Sequence, residues 1–124
     1  LGMQLLSRRS EEGTLPGLGW IEADTIRFRF GPDRTNLKIP HMGWNRVTVR
    51  RSGSVMDHLP PEPRFYFVHS YHVCCDREEN VLATADYGFE FHAAVIRDHI
   101  LGTQFHPEKS HKFGLALLKD FASP

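Results

Sequence analysis

The chain has 124 residues, a length that suits one domain with a modest core. Fifteen basic and fifteen acidic residues cancel, and this zero net charge argues against a dedicated nucleic-acid surface or a polybasic membrane surface. Hydrophobic residues make up 40% of the chain, no apolar run approaches the ~18 residues of a membrane-spanning helix, and no secretory signal is visible, so we expect a cytoplasmic protein.

The first part of the chain predicts a short helix followed by strands. Residues Gly2 to Ser10 could form that helix, and the glycines and proline of residues 13–19 mark a loop. Ile21 to Phe30 predicts a strand, with Ile26, Phe28 and Phe30 on one face and Arg27 and Arg29 on the other. Val47 and Val49 also alternate with polar residues, as in a strand.

The second part predicts further strands and a closing helix. Arg64 to Val73 is rich in aromatic and β-branched residues, and three strands with tight connections are predicted at Val81–Ala85, Phe89–Val95 and His99–Phe105. The closing helix has an apolar stripe, a capping residue at Ser110 and a basic residue in its last turn at Lys119; the stripe consists of Phe113, Leu117, Leu118 and Phe121. This order of elements indicates an α/β or α+β domain.

The two cysteines, Cys74 and Cys75, are adjacent in a predicted strand. Neighbouring strand residues point to opposite faces, so these thiols are poorly placed to pair or to share a metal. Neither lies at a helix N-terminus or turn that would acidify it, so we expect ordinary core or edge cysteines. His69 and His72 lie nearby, but His69 faces away from His72 and Cys74, and a tetrahedral metal site is therefore not expected.

Residues 102–110 lie between a predicted strand and the closing helix. Pro107 biases His106 towards extended geometry, in which Glu108 points the same way as the imidazole. A carboxylate on one ring nitrogen fixes the tautomer and leaves the other nitrogen as a base. A surface strand end with an incidental histidine and glutamate is the alternative. A catalytic pair of this kind needs a nucleophile, and the sequence offers no suitable one.

Two segments about a hundred residues apart resemble the class I glutamine amidotransferases. Residues 1–6, followed by 10–13, resemble the family's segment directly after its reactive cysteine, and residues 106–108 resemble its closing His-Pro-Glu motif. The resemblance implies a three-layer, flavodoxin-like α/β fold with a mixed sheet and a terminal helix. It also implies that residues 1–124 form the C-terminal part of a single domain, with the nucleophilic cysteine expected immediately before Leu1.

Three further segments narrow the resemblance to the glutaminase subunit of imidazole glycerol phosphate synthase: residues 40–45, 65–71 and 104–110. That resemblance implies hydrolysis of glutamine through a thioester, with the ammonia passed to a barrel-shaped synthase partner in histidine biosynthesis, and without a cofactor. The implied catalytic residues are His106 as base and acid and Glu108 as its orienting partner. The implied oxyanion donor is the backbone of Leu1, and the implied substrate-binding residues are Gln4, Glu12, Ser70 and Tyr71.

The resemblance also implies a partner-facing set consisting of Trp44, Asn45, Tyr66 and Lys109. For Trp44 and Tyr66 core packing is the alternative, because aromatic residues dominate cores as well as interfaces. Residues 110–114 resemble paralogues that supply ammonia for an amidino sugar in surface-polysaccharide biosynthesis, which is a second candidate function. A non-catalytic scaffold that binds a synthase and a small metal-binding β domain are two candidates from other classes.

Overall fold

The computed structural model describes residues 2–13, 16–30, 37–51, 56–98 and 100–122. Within these ranges the helices are α1 (Gly2–Leu5) and α2 (His111–Ala122), with short 3₁₀ turns at Glu78–Asn80 and Pro107–Lys109. The strands are β1 (Arg9–Ser10), β2 (Ala23–Arg27), β3 (His41–Arg46), β4 (Thr48–Val49), β5 (Arg64–His69), β6 (Tyr71–Cys75), β7 (Val81–Asp86), β8 (Glu90–Arg97) and β9 (Ile100–Thr103).

In the described part of the chain, seven strands form a mixed sheet in the order β1-β2-β6-β8-β7-β4, and β9 pairs with β8. Strands β1 and β2 are parallel, whereas the other neighbours in this sheet are antiparallel. Strands β3 and β5 form a separate antiparallel pair in which Trp44 lies opposite Tyr66. The predicted α/β fold, with a mixed sheet and a terminal helix, is confirmed.

The predicted strand at residues 64–73 is wrong in one respect, because the chain bends at Ser70. Strands β5 and β6 therefore belong to different sheets. The Ser70 carbonyl accepts a hydrogen bond from the Phe28 N–H (3.0 Å), and the His69 ring bonds the Tyr71 carbonyl across the bend (2.8 Å). Aromatic and β-branched residues continue through the bend, so their pattern could not reveal it.

Two other predicted boundaries need correction. Helix α1 ends at Leu5 rather than Ser10, because the Ser7 hydroxyl donates to the Gln4 carbonyl (2.7 Å) and residues 9–10 pair with β2. Strand β2 ends at Arg27, although Phe28 beyond it is buried and Arg27 is exposed, as the alternation predicted. Strand β3 was not predicted, because its glycine and polar residues interrupt any hydrophobic alternation.

Most of the interior is one cluster that joins β5, β7, β8 and α2. Its largest members are aromatic, and Phe65, Phe67 and Phe91 are each at most 1% exposed. A smaller cluster joins α1, β2, β6 and β8 through Met3, Ala23, Val73 and Val95. The two clusters fix the positions of α1 and of the segment before α2, and both of these segments carry predicted site residues.

Helix α2 packs by only part of its predicted apolar stripe. Phe113 and Leu117 are buried, whereas Leu118 and Phe121 are 45% and 55% exposed. Lys119 lies in the last turn as predicted. Each helix in the described residues is too short or too polar to cross a lipid bilayer.

Candidate active site

The loop that carries His106 connects β9 to α2 and is bonded to β5 at two points. The His106 N–H donates to the Tyr66 carbonyl (2.9 Å), and the Tyr66 N–H donates to the Ser110 hydroxyl (3.0 Å). The same hydroxyl donates to the His106 carbonyl. Ser110 was predicted as a side-chain cap of α2, but its hydroxyl instead bonds the Tyr66 N–H of β5 and the His106 carbonyl. Both backbone groups of Tyr66 hold the loop in place.

Close packing of α2 against this loop depends on Gly114. A Cβ at that position would lie 1.7 Å from the Pro107 carbonyl oxygen, far inside van der Waals contact. The absence of a side chain lets the first turn of the helix lie directly against the 3₁₀ turn. Helix α2 therefore packs directly against the segment between His106 and Ser110.

His106 and Glu108 form the predicted histidine–carboxylate pair. The distance between His106 Nδ1 and Glu108 Oε1 is 2.8 Å. Partial burial raises the pKa of Glu108, but a hydrogen bond from its own backbone and the bond to His106 outweigh it, and the net pKa is lowered. Because an ionised carboxylate only accepts, Nδ1 carries the proton of a neutral His106 and Nε2 has a free lone pair.

His106 lies at a cleft of about 400 Å³. All four predicted substrate-binding residues line the same cleft, and these are Gln4, Glu12, Ser70 and Tyr71. They come from α1, the loop after β1, and the bend between β5 and β6. With His106, the fold therefore brings together three distant parts of the sequence, at positions 4–12, 70–71 and 106.

Four residues that were not predicted as site residues also line the cleft, and these are Arg27, Val68, His69 and Gln104. Arg27 places its guanidinium 5.7 Å from the centre of the Tyr71 ring, so the cleft holds a cation as well as the Glu12 carboxylate. Gln104 is 95% buried, and its Oε1 has no hydrogen-bond partner among the described residues. The sequence could have indicated Gln104 through its position two residues before His106. Nothing in the sequence distinguished Arg27 from other surface arginines.

A second cavity, of about 490 Å³, lies away from His106. Its lining is charged, but Arg77 there pairs with Glu22 at 3.0 Å and with Glu79 at 3.1 Å. These charges neutralise each other at the surface. The cleft at His106 is therefore the stronger candidate for a ligand site.

The cysteines are unsuited to act as the nucleophile. Neither lines the cleft, and both are free and half-buried. Burial raises the pKa of Cys74, and burial together with the neighbouring Cys74 and Asp76 raises the pKa of Cys75 to about 12. Both thiols therefore stay protonated near neutral pH, as predicted for structural cysteines. Among the described residues, no three histidine, cysteine, aspartate or glutamate side chains are grouped so that they could hold a metal ion.

Of the predicted partner-facing residues, Trp44 and Asn45 lie on opposite faces of β3, Tyr66 lies on β5 and Lys109 ends the 3₁₀ turn before α2. Trp44 is 47% exposed, and Met42, on the same face, is 62% exposed. The Trp44 ring lies edge-on to Tyr66, with ring centres 6.2 Å apart. Asn45 lies on the opposite face and donates to the Asp86 carbonyl (2.7 Å), whereas Lys109 is exposed in the loop that carries His106. Trp44 therefore lies at the surface rather than in the core.

The comparison with family models identifies the chain. The model for glutamine amidotransferase class-I matches residues 1–123. The chain belongs to the class-I glutamine amidotransferase family. The resemblance carried by the two ends of the sequence is thereby confirmed.

Curated relatives of this family member carry more specific names. The chain is 51% identical over 123 residues to "Imidazole glycerol phosphate synthase subunit HisH" of Leptospira interrogans, covering 99% of this chain and 60% of the relative. It is 51% and 50% identical, each over 121 residues, to proteins named "subunit HisH 2" from Methanococcus maripaludis and Pseudomonas aeruginosa. These matches cover 98% of this chain and 58% of each relative. The chain thus spans about 60% of the length of these curated relatives.

The roles assigned to individual site residues stay predictions. The structure places His106 and Glu108 in contact and gathers Gln4, Glu12, Ser70 and Tyr71 at one cleft. The predicted oxyanion donor, Leu1, lies outside the described residues.

Proposed function

We propose that the chain contributes the histidine–glutamate pair and much of the substrate cleft of a glutaminase. The full-length enzyme would hydrolyse glutamine to glutamate and ammonia. It would deliver the ammonia to a synthase subunit that makes imidazole glycerol phosphate in histidine biosynthesis. The observation that carries this proposal is the 2.8 Å contact between His106 and Glu108 at the cleft lined by the predicted substrate residues. Residues 1–124 would form part of a single amidotransferase domain in the cytoplasm.

His106 would act first as base and then as acid while the thioester forms. Its Nε2 takes the proton of the attacking thiol and then donates a proton to the departing ammonia. Glu108 keeps Nδ1 protonated and stabilises the positive charge that the ring acquires. We propose that the thiol is a cysteine of the full-length protein, since Cys74 and Cys75 lie outside the cleft and remain protonated.

The cleft residues would orient glutamine by charge and hydrogen bonding. The Glu12 carboxylate suits the α-ammonium group, and the Arg27 guanidinium suits the α-carboxylate. Gln4 and the backbone at Ser70 and Tyr71 would hold the remaining polar groups. Leu1 would supply an oxyanion donor through its backbone N–H. The chemistry uses only side chains and backbone donors, so no cofactor is proposed.

The surface that meets a barrel-shaped synthase would consist of Trp44, Tyr66 and Lys109, with Asn45 behind them. Trp44 and Met42 expose apolar area on one face of β3, and Lys109 lies next to the catalytic loop. Aromatic residues and methionine are enriched at such interfaces. Docking there would bring the ammonia-releasing site close to the partner.

A paralogous amidotransferase that supplies ammonia for an amidino sugar is the second candidate. The segment that resembles those paralogues, residues 110–114, includes His111, which stacks on Trp44 with ring centres 5.6 Å apart. The distinguishing segment therefore lies at the proposed partner surface. Partner identity would decide between the two functions.

The test combines the full-length protein with a purified synthase subunit of histidine biosynthesis. We expect a stable complex that makes imidazole glycerol phosphate with glutamine as the nitrogen source. A complex that works only with added ammonium salt would contradict the glutaminase. Failure to bind the histidine-pathway synthase, with binding to a sugar-modifying partner instead, would favour the second candidate.

A further inference from the structure

A row of buried polar side chains lies beneath the cleft, and the proposed chemistry does not use it. His69 Nδ1 lies 2.8 Å from the Tyr71 carbonyl oxygen, and His41 Nδ1 lies 2.9 Å from His69 Nε2. Asn45 Nδ2 lies 3.4 Å from His41 Nε2. His41 and His69 are only 4% and 6% exposed. The row therefore runs from β3 through β5 to the bend that lines the cleft.

Each link in the row has only one possible direction. The Tyr71 carbonyl can only accept, so His69 Nδ1 carries a proton and the neutral ring accepts at Nε2. His41 must then donate from Nδ1 and accept at Nε2. The Asn45 amide nitrogen is the matching donor, because its oxygen already accepts from the Arg46 N–H at 2.8 Å. Both rings are consequently held in one tautomer.

The surroundings keep both histidines uncharged. His69 lies among the rings of Phe28, Phe67 and Phe91, with ring centres 5.1 to 5.5 Å away. His41 stacks on Tyr87 at 4.1 Å. Burial lowers the pKa of each histidine to about 4. A neutral pair is the state that the hydrogen-bond directions require.

The bond from His69 to Tyr71 spans the point where the chain leaves one sheet for the other. His69 is the last residue of β5, and Tyr71 is the first of β6. The Ser70 carbonyl between them is engaged by Phe28. The side chain of His69 therefore sets the direction in which the Ser70 and Tyr71 backbone faces the cleft.

We propose that His41 and His69 are positioning residues that hold the Ser70–Tyr71 backbone in the geometry that binds glutamine. His69 donates a hydrogen bond across the bend to the Tyr71 carbonyl. His41 lies directly opposite His69 on β3, and its hydrogen bond fixes the His69 ring. This inference rests on the proposed glutaminase function. Neither ring takes part in proton transfer at the reacting amide, so their loss should weaken glutamine binding more than turnover.

The test compares three variants of the full-length protein in its synthase complex. In His69→Asn the amide nitrogen replaces Nδ1 as a donor to the Tyr71 carbonyl, whereas His69→Leu fills the space without a donor. His72→Leu is the matched control, because His72 is also 4% exposed but packs against Phe28 and makes no bond to the Tyr71 carbonyl. KM and kcat for glutamine are measured together with the rate on ammonium salt.

We expect His69→Leu to raise KM for glutamine about tenfold with kcat little changed, as for the loss of one hydrogen bond. His69→Asn should recover most of that loss, and His72→Leu should leave KM within about twofold of the wild-type value. The rate with ammonium salt should not change in any variant. Equal KM values for the leucine variants at 69 and 72, or an asparagine variant no better than leucine, would overturn the proposal.

A second measurement uses the unmodified protein. The nitrogen chemical shifts of the His41 and His69 rings should show a protonated Nδ1 and an unprotonated Nε2 at pH 7. An Nε2-protonated tautomer of either ring would overturn the proposal even if a variant failed to fold. Wild-type protein that releases no ammonia from glutamine with its synthase would instead remove the proposed function, and this inference with it.

Discussion

His106 and Glu108, two residues apart, form a histidine–carboxylate contact at the cleft, and the proposed function assigns them to proton transfer. Pro107 fixes the backbone between them and starts a 3₁₀ turn, and the exposed Glu108 carboxylate lies 2.8 Å from His106 Nδ1. The lowered pKa of Glu108 means that the carboxylate is ionised at neutral pH. The free Nε2 is the nitrogen that remains for chemistry.

Replacing Glu108 by Gln tests the orienting role. The amide can still approach Nδ1, but it does not stabilise a positively charged ring and permits the wrong tautomer. We expect kcat for glutamine to fall by roughly 10² to 10⁴-fold, with a smaller change in KM. Steady-state kinetics of the full-length complex provides the measurement. A Glu108→Gln enzyme with wild-type kcat would show that the carboxylate has no orienting role.

Individual site residues were predictable from the sequence only where a motif marked them. Gln4, Glu12, Ser70 and Tyr71 come from segments with a family resemblance, and the fold places all four at the cleft with His106. Arg27, which lies on β2, is not part of any segment with a family resemblance. Its position at the cleft follows from the pairing of Arg27 with Tyr71, a contact between residues 44 positions apart. Local patterns do not contain that information.

At the scale of elements, the contact between α2 and the Pro107–Lys109 turn decides where the loop that carries His106 lies. The Ser110 carbonyl accepts the Gly114 N–H (3.2 Å), so the helix begins directly under His106 and Glu108. Because Gly114 has no side chain, the helix approaches the Pro107 carbonyl without a clash.

Gly114→Ala tests this packing, and the expected sign is opposite to the usual one. Alanine normally stabilises a helix by up to about 1 kcal/mol relative to glycine. Here the methyl group would meet backbone, and overpacking should destabilise the protein by about 1 to 3 kcal/mol and reduce glutamine turnover. Urea denaturation and kinetics of the full-length protein provide the measurements. Gly13→Ala, where nothing lies within 4 Å of the added methyl, is the control; a Gly114→Ala protein as stable as this control would contradict the packing account.

Strands were predicted well where hydrophobic pattern and burial agree, as for β7 and β8. The wrongly predicted boundaries have local causes that the hydrophobic pattern does not reveal. The hydroxyl of Ser7 ends α1 early, and the side chain of His69 stabilises a bend inside a stretch that looks like one strand. In both cases one side-chain hydrogen bond decides the backbone path.

For the whole molecule, three buried neutral histidines link stability to pH. Burial lowers the pKa values of His41, His69 and His72 to about 4, against about 6.5 in an unfolded chain. Between these values the unfolded state binds protons that the folded state does not, so the free energy of unfolding decreases as pH falls. The loss approaches roughly 1 kcal/mol per pH unit for each histidine.

Urea denaturation of the full-length protein between pH 7 and pH 4 measures this dependence. His72→Phe removes one of the three groups and suits the aromatic site between Phe28 and Phe89. We therefore expect a shallower loss of stability with falling pH in that variant. Identical pH slopes for the variant and the wild type would show that His72 is not buried in its neutral form.

The central claim is that His106 serves glutamine hydrolysis and nothing else in the complex. The most direct test measures the synthase rate of the His106→Ala complex with glutamine and with ammonium salt, beside a control with Cys74 and Cys75 both replaced by Ala. We predict that the glutamine-dependent rate falls by about 10³-fold or more in His106→Ala, while the ammonium-dependent rate and both rates of the cysteine variant are retained. An equal fall of both rates in His106→Ala, or a glutamine-dependent rate that survives it, would contradict the claim.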